Sequence, residues 1–395
     1  MKQAQNNFLN WPLMENNVTE EDRRAVIEFL KKNPRLTQSA QVRAFEEVWS
    51  KWMDVRYSVF VNSGSSANLI SLSVLRELYG TGEVLVPVLT WVSDIASVIQ
   101  CGFKPVFADI HPFTLGIDER EMEKKISAAT KAIFLTHILG YNALTDRMLG
   151  ILEEKKIALI EDACESHGAL FRGRRVGSFG LASNFSFYYG HHMSTVEGGM
   201  ISTNDERFYE LSRMFRSHGM VRETASEGMK REYRSQYPDL DPEFIFAFPA
   251  YNMRGTEIQA VIGLSHLKRL DSEIAIRTEN LKLFLGGLDA SKYRTDFAVE
   301  GSSNYAFTLV LRESARHLSP RVEEALREAG VEFRRGLSGG GNQLRQPYLR
   351  KLFGEEYRNY PQAEYVHFHG YYIGNYPGLE RGKIRKLCKI LNGVV

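Results

Sequence analysis

Short apolar runs recur through the first half of this 395-residue chain at a spacing that few folds accommodate. They read YSVFV at 57–61, VLV at 84–86, PVFAD at 105–109, AIFLT at 132–136 and IALIE at 157–161, about 25 residues apart. Between them lie stretches with helical apolar spacing, such as Leu69, Ile70, Leu72, Leu75 and Leu78. A strand without polar alternation has no solvent face, and strands that follow one another through helices run parallel. The spacing therefore predicts an α/β fold, a mainly parallel sheet covered by helices on both faces. Two more runs, near 183–188 and 199–203, bring the expected sheet to seven strands. After about residue 265 the texture changes. A strand at 305–312, a helix at 320–330 and a strand at 331–335 read as a smaller α+β unit. The expected division is 1–264, a large unit with a helical N-terminal arm, and 265–395, a small unit. The polar stretch RETASEGMKREYRSQYPDLDPEF reads as an excursion near the active site, and no internal repeat interrupts the pattern.

Charge narrows the function classes. A formal net charge of +2, with no basic run longer than the local Arg172-Gly173-Arg174-Arg175, gives no surface for nucleic acid. The opening residues hold no apolar signal core, and no run of about 18 apolar residues occurs. A soluble, cytoplasmic protein with no membrane partner is expected. Cys101, Cys164 and Cys388 are far apart, which suits a reducing compartment and leaves too few thiolates for a four-cysteine cluster. The adjacent His191 and His192 are a poor metal pair, because neighbouring side chains on a strand point to opposite faces; no metal is expected.

In an open α/β sheet, ligands gather beyond the carboxyl ends of the strands. Three such ends are chemically suggestive. NSGSSANLI runs from a strand into a helix whose free N–H groups and two hydroxyls would cradle a phosphate, although serine is also an ordinary helix cap. In VLVPVLTWVSD, Trp91 follows the strand closed by Pro87 and could stack on a planar ring or plug a core. In IALIEDACESHGA, Asp162 ends an apolar strand, and a carboxylate so placed needs a cation. An internal arginine would serve, and so would a protonated pyridine nitrogen. A phosphate, a flat ring and a protonated ring nitrogen together describe pyridoxal phosphate or its amine form, pyridoxamine phosphate.

With these segments, and with FSFYYGHHMSTVEGGM, RSHG and PAYNMRGTEIQAVIG in the same order and spacing, the chain resembles the DegT/DnrJ/EryC1/StrS sugar aminotransferases over nearly its full length. The resemblance implies the type I (aspartate aminotransferase) fold. It implies that Gly64, Ser65, Ser66 and Ser186 hold the cofactor phosphate, that Trp91 stacks on the ring and that Asp162 faces its nitrogen. Glu165 joins the cofactor contacts, and His218 and Arg254 fall on the substrate side. Asn252 would reach the phosphate in the neighbouring subunit of a homodimer.

One departure carries the functional expectation. The family's cofactor-linking lysine lies six residues before the Glu of the EGG turn and six after the first Phe of the FSF strand. Counted from Glu197 and from Phe185, both lead to His191. Lysine supplies a base and an amine that holds the cofactor covalently. Histidine keeps the base, with an ordinary pKa of about 6.5, but not the amine. The replacement resembles the family's sugar 3-dehydratases, which remove a hydroxyl from nucleotide-linked 4-keto-6-deoxyhexoses. The cysteine count fits the branch without an iron–sulfur cluster, in which glutamate regenerates the amine cofactor; F-Y-x-H-H and E-D-x-C-E-S patterns fit it too. GDP-4-keto-6-deoxy-D-mannose is the first substrate expected, with His191 as base and His192 as a packing residue. A nucleotide-sugar 4-aminotransferase and a non-catalytic cofactor-binding relative are the alternatives. Loops 222–246 and 336–346 are expected to shape the sugar pocket.

Overall fold

The structure is a computed structural model that describes residues 8–395. The seven-stranded sheet forms as the spacing predicts. Its strands are β1 (Tyr57–Val61), β2 (Glu83–Pro87), β3 (Lys104–Ala108), β4 (Thr130–Thr136), β5 (Ala158–Asp162), β6 (Ala182–Ser186) and β7 (Gly199–Thr203). They lie in the order β1-β7-β6-β5-β4-β2-β3. Only β7 runs against the rest: it pairs antiparallel with both β1 and β6, while the β2, β3, β4, β5 and β6 pairings are parallel.

Helix boundaries follow local chemistry. Ser63 caps α1 (Gly64–Tyr79) by accepting from the Ser66 N–H, and Thr145 caps α2 (Asp146–Lys155) by accepting from the Met148 N–H. Each cap satisfies an N–H that the first helical turn leaves open. The sheet is dry on both faces. One face packs Phe45, Trp49, Phe60, Phe185 and Phe187 together with Met193 and Met200. Trp49 lies 5.0 Å from both Phe185 and Phe187, in edge-to-face contacts.

The C-terminal unit carries a three-stranded antiparallel sheet, β8 (Ala306–Val310), β9 (Phe333–Arg335) and β10 (Gly370–Gly374), in the order β8-β10-β9. It is joined to the large sheet through α3 (Leu270–Gly287), and one apolar cluster runs from Val84, Val86 and Phe134 of the large unit to Phe284, Phe307 and Tyr371. The N-terminal stretch, expected to go with the large unit, is different. Leu9 and Trp11 pair by backbone with Ala329, Gly330 and Val331, and the Trp11 Nε1–H donates to the Gly374 carbonyl at 2.9 Å. Leu9 and Trp11 therefore lie against the small unit, tied to it by an isolated bridge between Trp11 and Val331. Among the described residues no helix is long and apolar enough to cross a membrane, and no group of His, Cys, Asp and Glu side chains is arranged to hold a metal ion.

Candidate active site

The carboxyl ends of β2, β4, β5 and β6 open into a cavity of about 250 Å³, closed on its other side by the small unit. A more open groove of about 680 Å³ lies at the opposite, amino ends of β4 and β5, lined by Lys131, Glu153 and Lys156 among apolar residues. Only the first brings carboxylates, imidazole, phenols and hydroxyls to one point.

The cavity gathers Gly64, Ser65, Trp91, Asp162, Glu165, Ser186 and His191. Gly64 is buried at the first turn of α1, where a Cβ would lie 2.6 Å from Ser186 Cβ and 3.0 Å from Cys164 Sγ. Only glycine lets β6 end against the helix start, and the result is a concave rim of free N–H groups and serine hydroxyls with a positive helix end behind it. Ser66 stands one step back, its hydroxyl accepting from the Ser63 hydroxyl at 2.9 Å. Trp91 is the N-cap residue of α4 (Val92–Gln100) and is 50% exposed, so it plugs no core in this chain.

Asp162 is the last residue of β5 and 3% exposed. Its Oδ1 accepts from the Cys164 N–H at 2.8 Å and its Oδ2 from the Asn68 amide at 2.9 Å. No Lys or Arg pairs with it among the described residues. A carboxylate oriented so firmly at a cavity floor, without a cation, fits a cationic ring nitrogen. Glu165 accepts from the Leu139 N–H and the Ser338 hydroxyl, both at 2.8 Å, and burial raises its pKa to about 7.

His191 is half-buried against Tyr305, with ring centroids 5.4 Å apart, and its Nδ1 has no hydrogen-bond partner. Desolvation pulls its pKa down to about 4, against the opposing pull of the Asp162 charge. The imidazole is therefore neutral near pH 7, a base with a free lone pair. His192 points the other way. It is fully buried, its Nε2 meets the Ser303 carbonyl at 3.0 Å, and its ring lies 5.2 Å from His167. Among the described residues no lysine lines the cavity.

Three expected residues lie elsewhere in this chain. Asn252 is exposed, and its side-chain oxygen accepts from Arg254 Nε at 3.0 Å; the Met253 carbonyl accepts from the Asn62 N–H, directly before the rim formed by Gly64 and Ser65. His218 sits in a left-handed backbone conformation next to this segment. None of the three lines the chain's own cavity, nor does any residue of 222–246, whereas Ser338 of the 336–346 loop does.

The family model of the DegT/DnrJ/EryC1/StrS aminotransferases matches residues 16–392. The chain belongs to the DegT/DnrJ/EryC1/StrS aminotransferase family. Among its relatives is the GDP-4-keto-6-deoxy-D-mannose 3-dehydratase of Yersinia pseudotuberculosis, 32% identical over 97% of this chain and 98% of that one. A solved structure of the Escherichia coli GDP-4-keto-6-deoxy-D-mannose 3-dehydratase with bound hydrated pyridoxal phosphate is 28% identical, with a TM-score of 0.87 over 97% of this chain and 100% of that one. Another, of a GDP-4-keto-6-deoxymannose 3-dehydratase with a trapped pyridoxal phosphate–glutamate geminal diamine, is also 28% identical, with a TM-score of 0.85 over the same shares.

In this member of the DegT/DnrJ/EryC1/StrS family, the wall opposite the phosphate rim escaped the sequence reading. Tyr305, Arg334 and Tyr372 reach in from the small unit, and Leu13 and Met14 from the N-terminal stretch. Burial pushes the phenols of Tyr305 and Tyr372 up, so both remain neutral. The available signal was the alternation of VEFRR, which puts Arg334 on the face opposite its neighbours.

Proposed function

We propose that this chain is a pyridoxamine phosphate-dependent 3-dehydratase of a nucleotide-linked 4-keto-6-deoxy sugar, with GDP-4-keto-6-deoxy-D-mannose as the first substrate to test. The observation that carries the reading is His191: a neutral imidazole, in a cavity that no lysine lines among the described residues, beside a fixed carboxylate. The relatives named above act on that sugar nucleotide by name, and one of them holds glutamate with the cofactor.

The bound cofactor supplies an amine to condense with the sugar ketone and a cationic ring that withdraws electrons. The chain's residues do the rest. The rim of Gly64, Ser65, Ser66 and Ser186 takes the phosphate, Trp91 covers one face of the ring, and Asp162 keeps the ring nitrogen protonated. His191 accepts a proton at its imidazole and returns it to the departing hydroxyl as water leaves. Arg334, with Tyr188 and Tyr372 beside it, faces the nucleotide diphosphate at the mouth. Over a full cycle the sugar loses one oxygen, and glutamate gives 2-oxoglutarate and ammonia, which balances the exchange.

A homodimer with shared sites belongs to the same reading. Asn252 is exposed yet follows the phosphate rim, and the apolar Tyr237, Leu240, Phe244 and Phe246 nearby are also exposed. These features support a partner's coverage of that segment.

The test is incubation with GDP-, CDP- and TDP-linked 4-keto-6-deoxy sugars plus glutamate, followed by mass spectrometry. A product one oxygen lighter, with ammonia, is expected. An amino sugar would make the chain a 4-aminotransferase, and no product from any sugar would make it a binding relative. In the resting protein, borohydride should trap no lysine adduct.

A further inference from the structure

Directly behind Asp162 lies a second acid for which the reaction has no use. Asp94, in the first turn of α4, is fully buried. Its Oδ1 accepts from the Asn68 amide at 2.8 Å, the same amide that donates to Asp162 at 2.9 Å. The Asn68 amide thus bridges the two acids, with the Ser93 hydroxyl a third, longer contact at 3.1 Å. On the other side, Asp94 Oδ2 lies 2.6 Å from Thr136 Oγ1 and in a short contact with Thr90 Oγ1, while the two threonine oxygens lie 2.7 Å from each other.

Counting protons assigns its charge. Three oxygens stand in a triangle with three hydrogen-bond contacts, and each contact needs one proton between its atoms. The two threonine hydroxyls bring two. If both point at an ionised carboxylate, the threonine oxygens face each other at 2.7 Å with nothing between them. A proton on Asp94 Oδ2 closes the ring: the acid donates to one threonine, that threonine to the other, and the second back to the acid.

We propose that Asp94 is a positioning residue of this site, a neutral carboxylic acid that holds Asp162 through Asn68 as the single anion beneath the cofactor ring nitrogen. Its neighbours agree with that charge. Asp162 is the carboxylate facing it, the Cys164 thiol and the Tyr348 phenol are other titratable groups that feel it, and among the described residues no Lys or Arg forms an ion pair with it. Burial first, and the Asp162 charge second, push the Asp94 pKa well up. The positive helix end of α4 works against this, but two unpaired anions sharing one amide in a dry site would cost more. Neutral Asp94 can accept from Asn68 and donate to threonine at once, which neither an aspartate anion nor an aliphatic residue can do.

The charge is tested in cofactor-free protein, independently of the proposed reaction. Asp94→Asn preserves shape and neutrality. If the acid is neutral when folded, the folded wild type retains a proton that the unfolded chain releases above about pH 4. The wild type then loses stability relative to D94N as pH rises from about 5 to 8, the unfolding constant changing about tenfold per pH unit. A difference that does not vary with pH overturns the assignment. Should D94N fail to fold, isotope-edited infrared spectra of aspartate-labelled wild type decide: a protonated-acid carbonyl band supports it, and carboxylate bands alone refute it.

The positioning role rests on the proposed cofactor reading and is tested by rescue. Asp94→Ala should lower kcat about ten- to a hundredfold by letting Asp162 shift, leave the sugar KM unchanged, and move the pH titration of bound cofactor; D94N should restore all three. Wild-type behaviour of D94A, or a D94N as impaired as D94A, overturns the role while the dehydration itself stands.

Discussion

On the sheet side of the cavity, functional residues arrive in sequence clusters. Gly64 to Ser66 follow β1, and Asp162, Cys164 and Glu165 end β5 or follow it directly. On the opposite side they come from scattered segments: Tyr305, the Arg334–Ser338 stretch and Tyr372 are about 30 residues apart from one another, with Leu13 and Met14 from the other end of the chain. The first wall is built by register, because a parallel strand places its next few residues at one rim. The second is built by packing one unit on another. The difference predicts a division of labour. Changes on the sheet wall should strike the chemical step, and changes on the packed wall should strike substrate affinity.

The largest effect tests the sheet wall at its base. His191→Asn should lower kcat by about 10²–10⁴-fold while the protein still binds pyridoxamine phosphate, as loss of a general base does. With a pKa near 4, the acid limb of kcat/KM for the free enzyme should lie well below the ordinary histidine value of about 6.5. Stopped-flow kinetics across pH measures both. Asp162→Asn comes next, with about 2–4 kcal/mol of lost transition-state stabilisation and some cofactor retained; near-normal turnover would mean that another group keeps the ring nitrogen charged.

The packed wall supplies the contrast. Arg334→Ala removes a charged donor at the mouth and should raise the sugar-nucleotide KM about ten- to a hundredfold with kcat nearly kept. If kcat falls instead, the division between the walls fails. The smallest effect belongs to His192→Asn, at a residue that lies behind Tyr305 and does not line the cavity: turnover should stay within about threefold. Its signature is stability. His167, His191 and His192 all have pKa values lowered by burial, so each is neutral when folded and takes up a proton on unfolding below about pH 6.5. Stability therefore falls as pH drops from about 6.5 towards 4. Thermal melts of H192N should show a shallower fall than the wild type.

This contrast also explains what the sequence could and could not reveal. Apolar runs at a fixed interval have one economical packing, and strand ends of a parallel sheet share a rim, so the convergence of Gly64, Ser65, Trp91, Asp162 and His191 on one cavity was legible. The strands at 57–61 and 199–203 were read to the residue, and the others of the large sheet within a few. Tyr305 and Tyr372 look like ordinary core tyrosines in sequence, since nothing local records which unit will dock against them. Asp94 was written in plain view, a charge within the apolar VSDIASVI, but its meaning depends on Asn68 and Thr136, far away in the chain. The excursion at 222–246 illustrates the converse: polarity alone drew it towards an active site that it does not line in its own chain.

The pairing of Trp11 with Gly374 spans 363 residues, and it has a consequence for the order of events during synthesis. The large sheet is complete once about half the chain has been made, and its strand order can settle locally while the remainder emerges. The N-terminal stretch then has no partner, because residues 329–332 and Gly374, to which it bonds, are still to be translated. Leu13 and Met14 can close the cavity only after β10 has left the ribosome. Until then the phosphate rim and Asp162 stand open to solvent, so enclosure of a ligand is the last step of folding, and an early stop codon before β10 removes the lid from both ends at once.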